Sequence, residues 1–198
     1  MFLEVDAVGR RPLRRLPIRS VLIIGIGRAG GNIVNDIRGL GALDGIGFKV
    51  QWIQVNKDSW RRSVHLAQSK VSVVTLTCHH RRLLKQLLVR TDIAILVAGL
   101  GGFVGAHNCA VIAECGRSAD VPTILLVTMP FAFEGIRVQR AKAALRRLKR
   151  RTGLLFRFSN QQLAMEMGAD APFTTVYEVQ SMCIARHLRR LLRRWHFE

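Results

Sequence analysis

The sequence predicts an α/β fold with three layers, in which a Rossmann-like, mostly parallel sheet is covered by helices on both faces. Two observations support this prediction. The continuous apolar run at residues 21–24 and the largely apolar segment at 121–128 have the length and composition of strands that are buried on both faces. Segments with helical apolar spacing alternate with such runs. Folds of this kind bind ligands beyond the carboxyl ends of their strands, so we expect function at that edge.

The predicted elements alternate along the chain. Strands are expected at residues 21–24, 48–55, 71–76, 93–97 and 121–128. Helices are expected at residues 32–40, 81–88, 107–117, 138–151 and 174–195, and the last of them is long, basic and amphipathic. The chain is therefore divided into a basic N-terminal extension (1–20), a globular domain (21–172) and a C-terminal basic amphipathic helix (173–198).

The charge of the chain constrains its partners. The 198 residues have a formal net charge of +18, and basic residues concentrate at 10–19, 137–151 and 186–194. Such a charge implies attraction to polyanions such as nucleic acid, anionic lipid or an acidic protein. The sequence contains no run of 18 apolar residues, no secretory leader and no cysteines at metal-ligand spacing. We expect a soluble, cytoplasmic protein without disulfides or a metal site.

A glycine-rich turn, GIGRAGGN at residues 25–32, follows the first predicted strand. Between a strand and a helix, such a turn lets backbone N–H groups approach a phosphate, and the helix N-terminus adds a favourable dipole. The pattern Gly-x-Gly-x-x-Gly is equally the fingerprint of dinucleotide sites, and it also occurs in purely structural turns. This cluster alone leaves a dinucleotide, another nucleotide and a structural turn as alternatives.

A second glycine cluster, GLGGFVG at residues 99–105, also lies between a buried strand and the start of a helix. Two predicted phosphate loops then converge on one edge of the sheet. The segment PFAFEG at residues 130–135 follows the next strand at the same edge. It is either a turn fixed by proline and aromatic residues or a ribose contact made by Glu134. The convergence of the two loops favours a nucleotide-binding site.

Four segments resemble FtsZ, the bacterial tubulin-like division protein, in their order and spacing. They are IGIGRAGGNIVN, WIQVNKD, DIAILVAGLGGFVGAHNCAVIAE and ILLVTMPFAFEG. The resemblance implies an FtsZ/tubulin nucleotide-binding domain with GTP or GDP as its ligand and Mg²⁺ as the companion ion. It also implies that the partner is an FtsZ-like filament subunit or a second copy of the chain.

The resemblance assigns roles to particular residues. The glycine loops would hold the phosphates, Glu134 would contact the ribose, and Asn160 and Glu178 would lie near the base. The implied site residues are Gly27, Arg28, Gly30, Gly31, Asn32, Gly101, Gly102, Val104, Gly105, Glu134, Asn160 and Glu178.

Some positions depart from the family pattern. Phe103 and Val104 stand where the signature loop of the family has a glycine and a threonine, which places apolar bulk at a phosphate contact. Arg28 and Ala29 replace glycines of the first loop, and Arg28 either contacts phosphate or points to solvent. The loop that senses the γ-phosphate is missing between residues 58 and 83. The resemblance therefore does not extend to discrimination between GTP and GDP.

The second domain of FtsZ has no counterpart before Glu198, and that domain carries the acidic loop which positions the attacking water. Because phosphoryl transfer needs charge neutralisation and an oriented water together, we expect no autonomous GTP hydrolysis. The leading hypothesis is a guanine-nucleotide-binding protein that caps or regulates cell-division or cytoskeletal filaments through its nucleotide face. The apolar side of the last helix is expected to be exposed and to need a partner, since the absent domain would cover it.

Two other classes of function stay open in the sequence. A dinucleotide-dependent oxidoreductase would use the first glycine cluster with Asp58 as the ribose acceptor, although no catalytic domain is visible. A non-catalytic module would keep the glycine loops as a relic and bind anionic membrane, nucleic acid or a protein through arginine-rich surfaces.

Overall fold

The computed structural model of the chain describes residues 3–6, 18–55, 72–73, 81–150, 154–168 and 170–196. Its strands are β1 (Leu3–Asp6), β2 (Ser20–Ile26), β3 (Lys49–Val55), β4 (Ser72–Val73), β5 (Ile93–Gly99), β6 (Thr123–Met129) and β7 (Leu154–Ser159). Its helices are α1 (Gly27–Gly39), α2 (Arg81–Val89), α3 (Phe103–Ser118), α4 (Ile136–Lys149), α5 (Asn160–Met167) and α6 (Phe173–His196). A short 3-10 helix, Ala132–Glu134, lies between β6 and α4.

One sheet forms the centre of the described fold, with the strand order β1-β7-β6-β5-β2-β3-β4. Strands β2 to β7 pair in parallel, and β1 pairs antiparallel with β7 at one edge. Helices α1, α3 and α4 each begin after the carboxyl end of a strand and return toward the amino end of the next one. The N-termini of these helices and the loops before them therefore gather at the carboxyl edge of the sheet.

Helices cover both faces of the sheet, as the alternation of elements predicts. Along β2, Leu22 and Ile24 belong to the buried cluster that includes residues of α2, α3 and α4. Val21 and Ile23 point to the opposite face and belong to the cluster that includes residues of α1 and α6. Because successive side chains of a strand point to opposite faces, a continuous apolar strand supplies both layers of core.

The predicted fold class is confirmed, and a strand is present at each of the five predicted places. For the third strand only Ser72–Val73 is described, and the rest of residues 71–76 lies outside the described residues. Helices α1 and α3 begin at Gly27 and Phe103, earlier than the predicted residues 32 and 107. Gly27 has a φ of 72°, so the chain turns from strand to helix within one residue and the following glycines are helical.

Strands β1 and β7 and helix α5 were not predicted from the sequence. Part of the predicted N-terminal extension belongs to the sheet, because β1 pairs along β7 from Leu3 opposite Phe158 to Asp6 opposite Leu155. Among the described residues, no helix is both long and apolar enough to cross a membrane.

The apolar side of α6 is covered by the chain itself, so the expectation of an exposed apolar side was wrong. Ile184, Leu188 and Leu192 are buried in the same cluster as Phe156 and Phe158 of β7. That expectation assumed that only a second domain could cover the apolar side of α6. In the structure this sheet face is itself apolar, and α6 buries it and its own apolar side together.

Polar contacts fix α6 to α1 as well. Ser181 Oγ donates a hydrogen bond to Asp36 Oδ2 of α1 at 2.6 Å. Arg189 Nη1 donates to the carbonyl oxygen of Ala42, just after α1, at 2.7 Å. Helix α6 therefore runs from the carboxyl edge of the sheet, where it begins, to the amino edge, where α1 ends.

His187 of α6 lies between the two phenylalanines of β7. Its ring meets those of Phe156 and Phe158 edge-on, with centroid distances of 4.4 and 6.0 Å, and its buried Nε2 has no hydrogen-bond partner among the described residues. Burial lowers the pKa of His187, and the positive charges of Arg190 and Arg194 lower it further. The folded environment of His187 therefore disfavours the protonated imidazole.

We expect the free energy of unfolding to fall below about pH 6.5, the ordinary histidine pKa, because the unfolded chain then gains a proton that folded His187 resists. The contribution of neutral His187 to the free energy of unfolding is fully present above that pH. It is lost as the pH falls toward the lowered pKa of the folded protein. The variant His187→Phe should lose less stability than the parent chain between neutral and mildly acidic pH. Urea unfolding at several pH values measures this. The control is His107→Phe, at an exposed position on α3. If the free energy of unfolding varied with pH in the same way for the parent chain and for His187→Phe, the prediction would be contradicted.

Candidate functional site

The two glycine clusters lie against each other at the carboxyl edge of the sheet. A Cβ atom placed on Gly27, the first residue of α1, would lie 3.2 Å from the backbone nitrogen of Gly105 and 3.5 Å from Cβ of Val104 in α3. The starts of α1 and α3 are therefore in van der Waals contact. This contact confirms that the two predicted loops converge.

Some of the predicted site glycines are required by packing. A Cβ on Gly30 would lie well under 3.0 Å from the carbonyl oxygen of Val97 in β5, and one on Gly105 would lie equally close to the carbonyl oxygen of Gly99. Both glycines are helical and buried. They let α1 and α3 approach the sheet closely, which is needed whether or not a ligand binds.

Gly102 differs from these buried glycines because space is open around it. It is the N-cap residue of α3, and the nearest atom to a Cβ placed there would be the carbonyl oxygen of Gly99 at 3.8 Å. Neither α1 nor α3 has a side-chain cap, and neither has an acidic residue in its first turn. Since the first N–H groups of a helix have no acceptor within the helix, both N-termini offer donors to an anion.

The side chains around the helix starts are mostly positive or apolar. Arg28 and Asn32 of α1 are exposed, whereas Gly31 is buried and packs against the side chain of Gln54. Phe103 is 67% exposed and stacks on His107, one turn further along α3. Its ring thus lies along the helix.

Helix α4 contributes basic residues next to the second glycine cluster. Arg140 Nη1 donates a hydrogen bond to the carbonyl oxygen of Gly101 at 2.9 Å. A Cβ on Gly101 would lie 3.2 Å from Pro130 and 3.5 Å from Cβ of Arg137. Sequence analysis placed Arg140 only within a basic stretch, because its partner is a backbone oxygen 39 residues away in the chain.

Glu134 is held within its own turn. Its Oε1 accepts a hydrogen bond from the backbone N–H of Phe131 at 2.9 Å, and its Oε2 pairs with Arg137 Nη1. Only 11% of the Glu134 side chain is exposed. A carboxylate can accept about four hydrogen bonds, so acceptor capacity remains on Glu134.

An aromatic cluster surrounds this turn, and the sequence analysis missed it. Phe131 is buried, and its ring centroid lies 5.3, 4.9 and 5.8 Å from those of Phe133, Phe173 and Tyr177. The three outer rings are 68%, 54% and 46% exposed, in that order. The pKa of Tyr177 is raised by partial burial and by the charge of Glu134, with Arg137 acting in the opposite direction. The first residues of α6 therefore belong to the same edge as Glu134.

The two residues predicted near a base have different surroundings. Asn160 is buried at the start of α5, and its Oδ1 accepts a hydrogen bond from Gln180 Nε2 of α6. Glu178 is exposed on α6, one residue beyond Tyr177. The structure thus brings the glycine clusters and Glu134 to one edge, places the start of α6 beside them, and keeps the Asn160 side chain in the interior.

One of the described cysteines, Cys109, is not available as a nucleophile. Cys109 is buried in α3, and burial raises the pKa of its thiol to about 12, so it stays protonated and unreactive. Among the described residues no group of three histidine, cysteine or acidic side chains could hold a metal ion. Asp58, the ribose acceptor of the oxidoreductase alternative, lies outside the described residues.

Known proteins match both the sequence and the fold. The cell division protein FtsZ of Neisseria meningitidis is 25% identical over 172 residues, which cover 76% of this chain and 41% of that protein. An empty FtsZ dimer of M. jannaschii superposes with a TM-score of 0.71 at 21% identity, covering 91% of this chain and 56% of the other. The chain contains an FtsZ/tubulin-like domain. No family model matches the chain.

The FtsZ/tubulin-like domain also resembles a relative whose structure was solved as a protofilament. CetZ2 from Haloferax volcanii, in a GTPγS-bound protofilament, superposes with a TM-score of 0.71 at 22% identity, covering 89% of this chain and 58% of that one. The chain spans about two fifths of the length of the curated relatives it matches. The two superpositions cover 91% and 89% of this chain.

Proposed function

We propose that the chain binds a guanine nucleotide, GTP or GDP, with the phosphates at the N-termini of α1 and α3. The observation that carries this proposal is the contact of Gly27 with Val104 and Gly105. It places two helix N-termini without side-chain caps next to each other. Two such termini bind a chain of phosphates better than one, because each adds N–H donors and a favourable dipole.

The room at Gly102, where a Cβ would meet only the carbonyl oxygen of Gly99 at 3.8 Å, suits a phosphate in this proposal. The basic side chains Arg28, Arg137 and Arg140 lie at or beside the two helix starts and add positive charge. Their positive charge compensates for the apolar side chains of Phe103 and Val104 beside the proposed phosphates. The ring of Phe103 stacks on His107 along α3. A bound Mg²⁺ would neutralise phosphate charge and be held mainly by phosphate oxygens and water, as this ion usually is.

The nucleoside is proposed to lie over the turn that holds Glu134. Its remaining acceptor capacity suits ribose hydroxyl groups, which donate hydrogen bonds. The exposed rings of Phe133, Phe173 and Tyr177 offer a surface on which a purine can stack. Glu178, exposed next to Tyr177 on α6, is proposed to accept hydrogen bonds from the base. Asn160 contributes indirectly in this proposal, by fixing Gln180 of α6.

Autonomous hydrolysis of GTP is not part of the proposal. A hydrolytic site must orient a water with a base or a metal-bound group while the phosphate charge is neutralised. Glu134 is the acidic residue that the structure places at this turn, and Phe131 and Arg137 already engage its carboxylate. We propose that this chain does not hydrolyse bound GTP unless another subunit supplies the groups that orient the attacking water.

The partner proposed for the nucleotide face is an FtsZ-like filament subunit or a second copy of this chain. The FtsZ dimer and the CetZ2 protofilament among the relatives support this choice. A chain that binds through this face would cap or regulate a cell-division or cytoskeletal filament. Co-sedimentation with an FtsZ filament former tests the association. Less pelleted FtsZ at excess chain is expected, and unchanged pelleting would contradict it.

Nucleotide titration is the experiment that tests the proposed ligand. After removal of any nucleotide that copurifies, the chain is titrated calorimetrically with GTP, GDP, ATP and NAD in the presence of Mg²⁺. Saturable binding of GTP and GDP, at least about tenfold tighter than that of ATP, is expected from a site that reads the base. Preferential binding of NAD would revive the oxidoreductase alternative, and no binding of any nucleotide would reduce the glycine loops to a structural relic.

A further inference from the structure

A cluster of arginines lies at the end of the molecule opposite the glycine loops. Helix α4 ends at the amino edge of the sheet with Arg146, Arg147 and Arg150. All three side chains are exposed, and the apolar side of the same helix, from Ala141 to Leu148, is buried in the core.

Helix α6 brings a second group of arginines to the same edge. The Arg189 contact with Ala42 fixes this part of α6 near the end of α1. Arg190, Arg193 and Arg194 follow it, and their side chains are exposed. Helices α4 and α6 lie on opposite faces of β7, so the six exposed arginines surround one end of the sheet. We call these six residues the basic end.

The number of charges at the basic end exceeds what helix capping requires. One or two cations in the last turn are enough to interact favourably with the dipole of a helix. The sequence contains no acidic residue from Gly135 to Met165 or from Val179 to Phe197. None of the six arginines forms an ion pair with a described acidic residue. Such a concentration of like charge repels itself unless an anion binds there.

The chemistry of the basic end favours a phosphate backbone over a lipid surface. All six residues are arginine, whose planar guanidinium groups bind phosphate in a bidentate manner. From Val138 to Arg150 and from Cys183 to Arg194, no large apolar side chain is exposed. An amphipathic helix needs an exposed apolar side to enter a membrane interface, and here that side faces the core.

We infer that the basic end binds the phosphate backbone of double-stranded nucleic acid without reading its sequence. This site is independent of the proposed nucleotide site, because it lies at the opposite edge of the sheet and uses none of the same residues. Binding of this kind is driven by release of counterions, so its affinity falls steeply as the salt concentration rises.

The inference is tested by fluorescence anisotropy with a labelled duplex DNA of mixed sequence, about 30 base pairs long, at several salt concentrations. Arg146→Gln with Arg150→Gln removes two charges from α4, and Arg190→Gln with Arg194→Gln removes two from α6. The plot of log affinity against log salt has a negative slope, and each pair should make that slope less steep by about 2, and the four substitutions together by about 4. Affinity near about 0.1 M salt should fall at least tenfold for the fourfold variant.

The matched control is Arg82→Gln with Lys85→Gln, which removes two exposed charges from the first half of α2, away from the amino edge. It should leave both slope and affinity nearly unchanged. An equal loss in the control would show that net charge alone attracts the duplex and would overturn the site. Binding to phosphatidylserine vesicles with the same arginine dependence, but not to the duplex, would overturn the assignment to nucleic acid. Thermal unfolding of each variant confirms that the fold is intact.

Discussion

The variant Gly102→Asp is expected to lose at least about a hundredfold in affinity for GTP, because two like charges about 4 Å apart repel by several kcal/mol at a protein surface. Gly102 is the N-cap of α3, and the space around it is open. Its φ of −81° and ψ of 148° suit a residue with a side chain. Aspartate at an N-cap accepts hydrogen bonds from the first N–H groups of the helix, so it takes the donors proposed for the phosphate. The fold should therefore stay intact or gain slightly in stability while binding is lost.

The variant Gly102→Asn separates charge from size at this position. Asparagine has the same shape and also caps helices, but it carries no charge. We expect it to weaken GTP binding much less than aspartate does. Calorimetric titration of the three proteins, with urea unfolding in parallel, measures affinity and stability on the same samples. If Gly102→Asp bound GTP as tightly as the parent chain, the phosphates would have to lie elsewhere.

The largest expected effect on stability comes from Gly30→Ala. Its new methyl group would meet the carbonyl oxygen of Val97 at well under 3.0 Å, and a backbone atom cannot move aside as a flexible side chain can. Helix α1 would have to shift away from β5. Overpacking of this kind usually costs about 1–3 kcal/mol, and we expect about 3 kcal/mol or more here because the clash is with the backbone.

Gly39→Ala is the matched control, since it adds the same methyl group near the other end of the same helix. No atom lies within 4 Å of a Cβ placed there. Because alanine favours the helix by about 0.5–1 kcal/mol over glycine, this variant should be neutral or slightly more stable. Urea unfolding compares the two midpoints. Similar stabilities for Gly30→Ala and Gly39→Ala would show that α1 does not pack on β5 as described.

The sequence predicted the fold class because its strongest local signals agree with each other. The apolar run that becomes β2 can only be buried, and the glycines after it let α1 approach the sheet. The predicted helix starts were late because glycine is a poor helix former in general. Gly105 is nevertheless helical, since close packing against Gly99 decides its conformation and outweighs its propensity.

The missed strand β7 shows the limit of local patterns. Arg157 interrupts its apolar residues, and a strongly basic segment precedes it. The segment is a strand because it pairs with β6, for example Phe156 with Leu126 and Phe158 with Thr128, and with β1 on its other side. Such pairing is a contact between distant parts of the chain, and no periodicity within six residues encodes it.

The candidate site was only partly predictable from the sequence. Glycine clusters are local features, so their positions and their common edge could be inferred. The aromatic cluster joins Phe131 and Phe133 to Phe173 and Tyr177, which are about forty residues away in the sequence. The hydrogen bond from Gln180 to Asn160 likewise depends on the packing of α6, which the sequence analysis expected to have an exposed apolar side.

Strand β1 has a practical consequence for any experiment on this protein. Because it pairs along β7 from Leu3 to Asp6, it occupies hydrogen-bonding groups that would otherwise form an open sheet edge. A shortened chain that starts after Asp6 would present those groups to another molecule and invite aggregation through strand addition. Residues 3–6 are therefore best left unchanged in any variant made to test the proposals above.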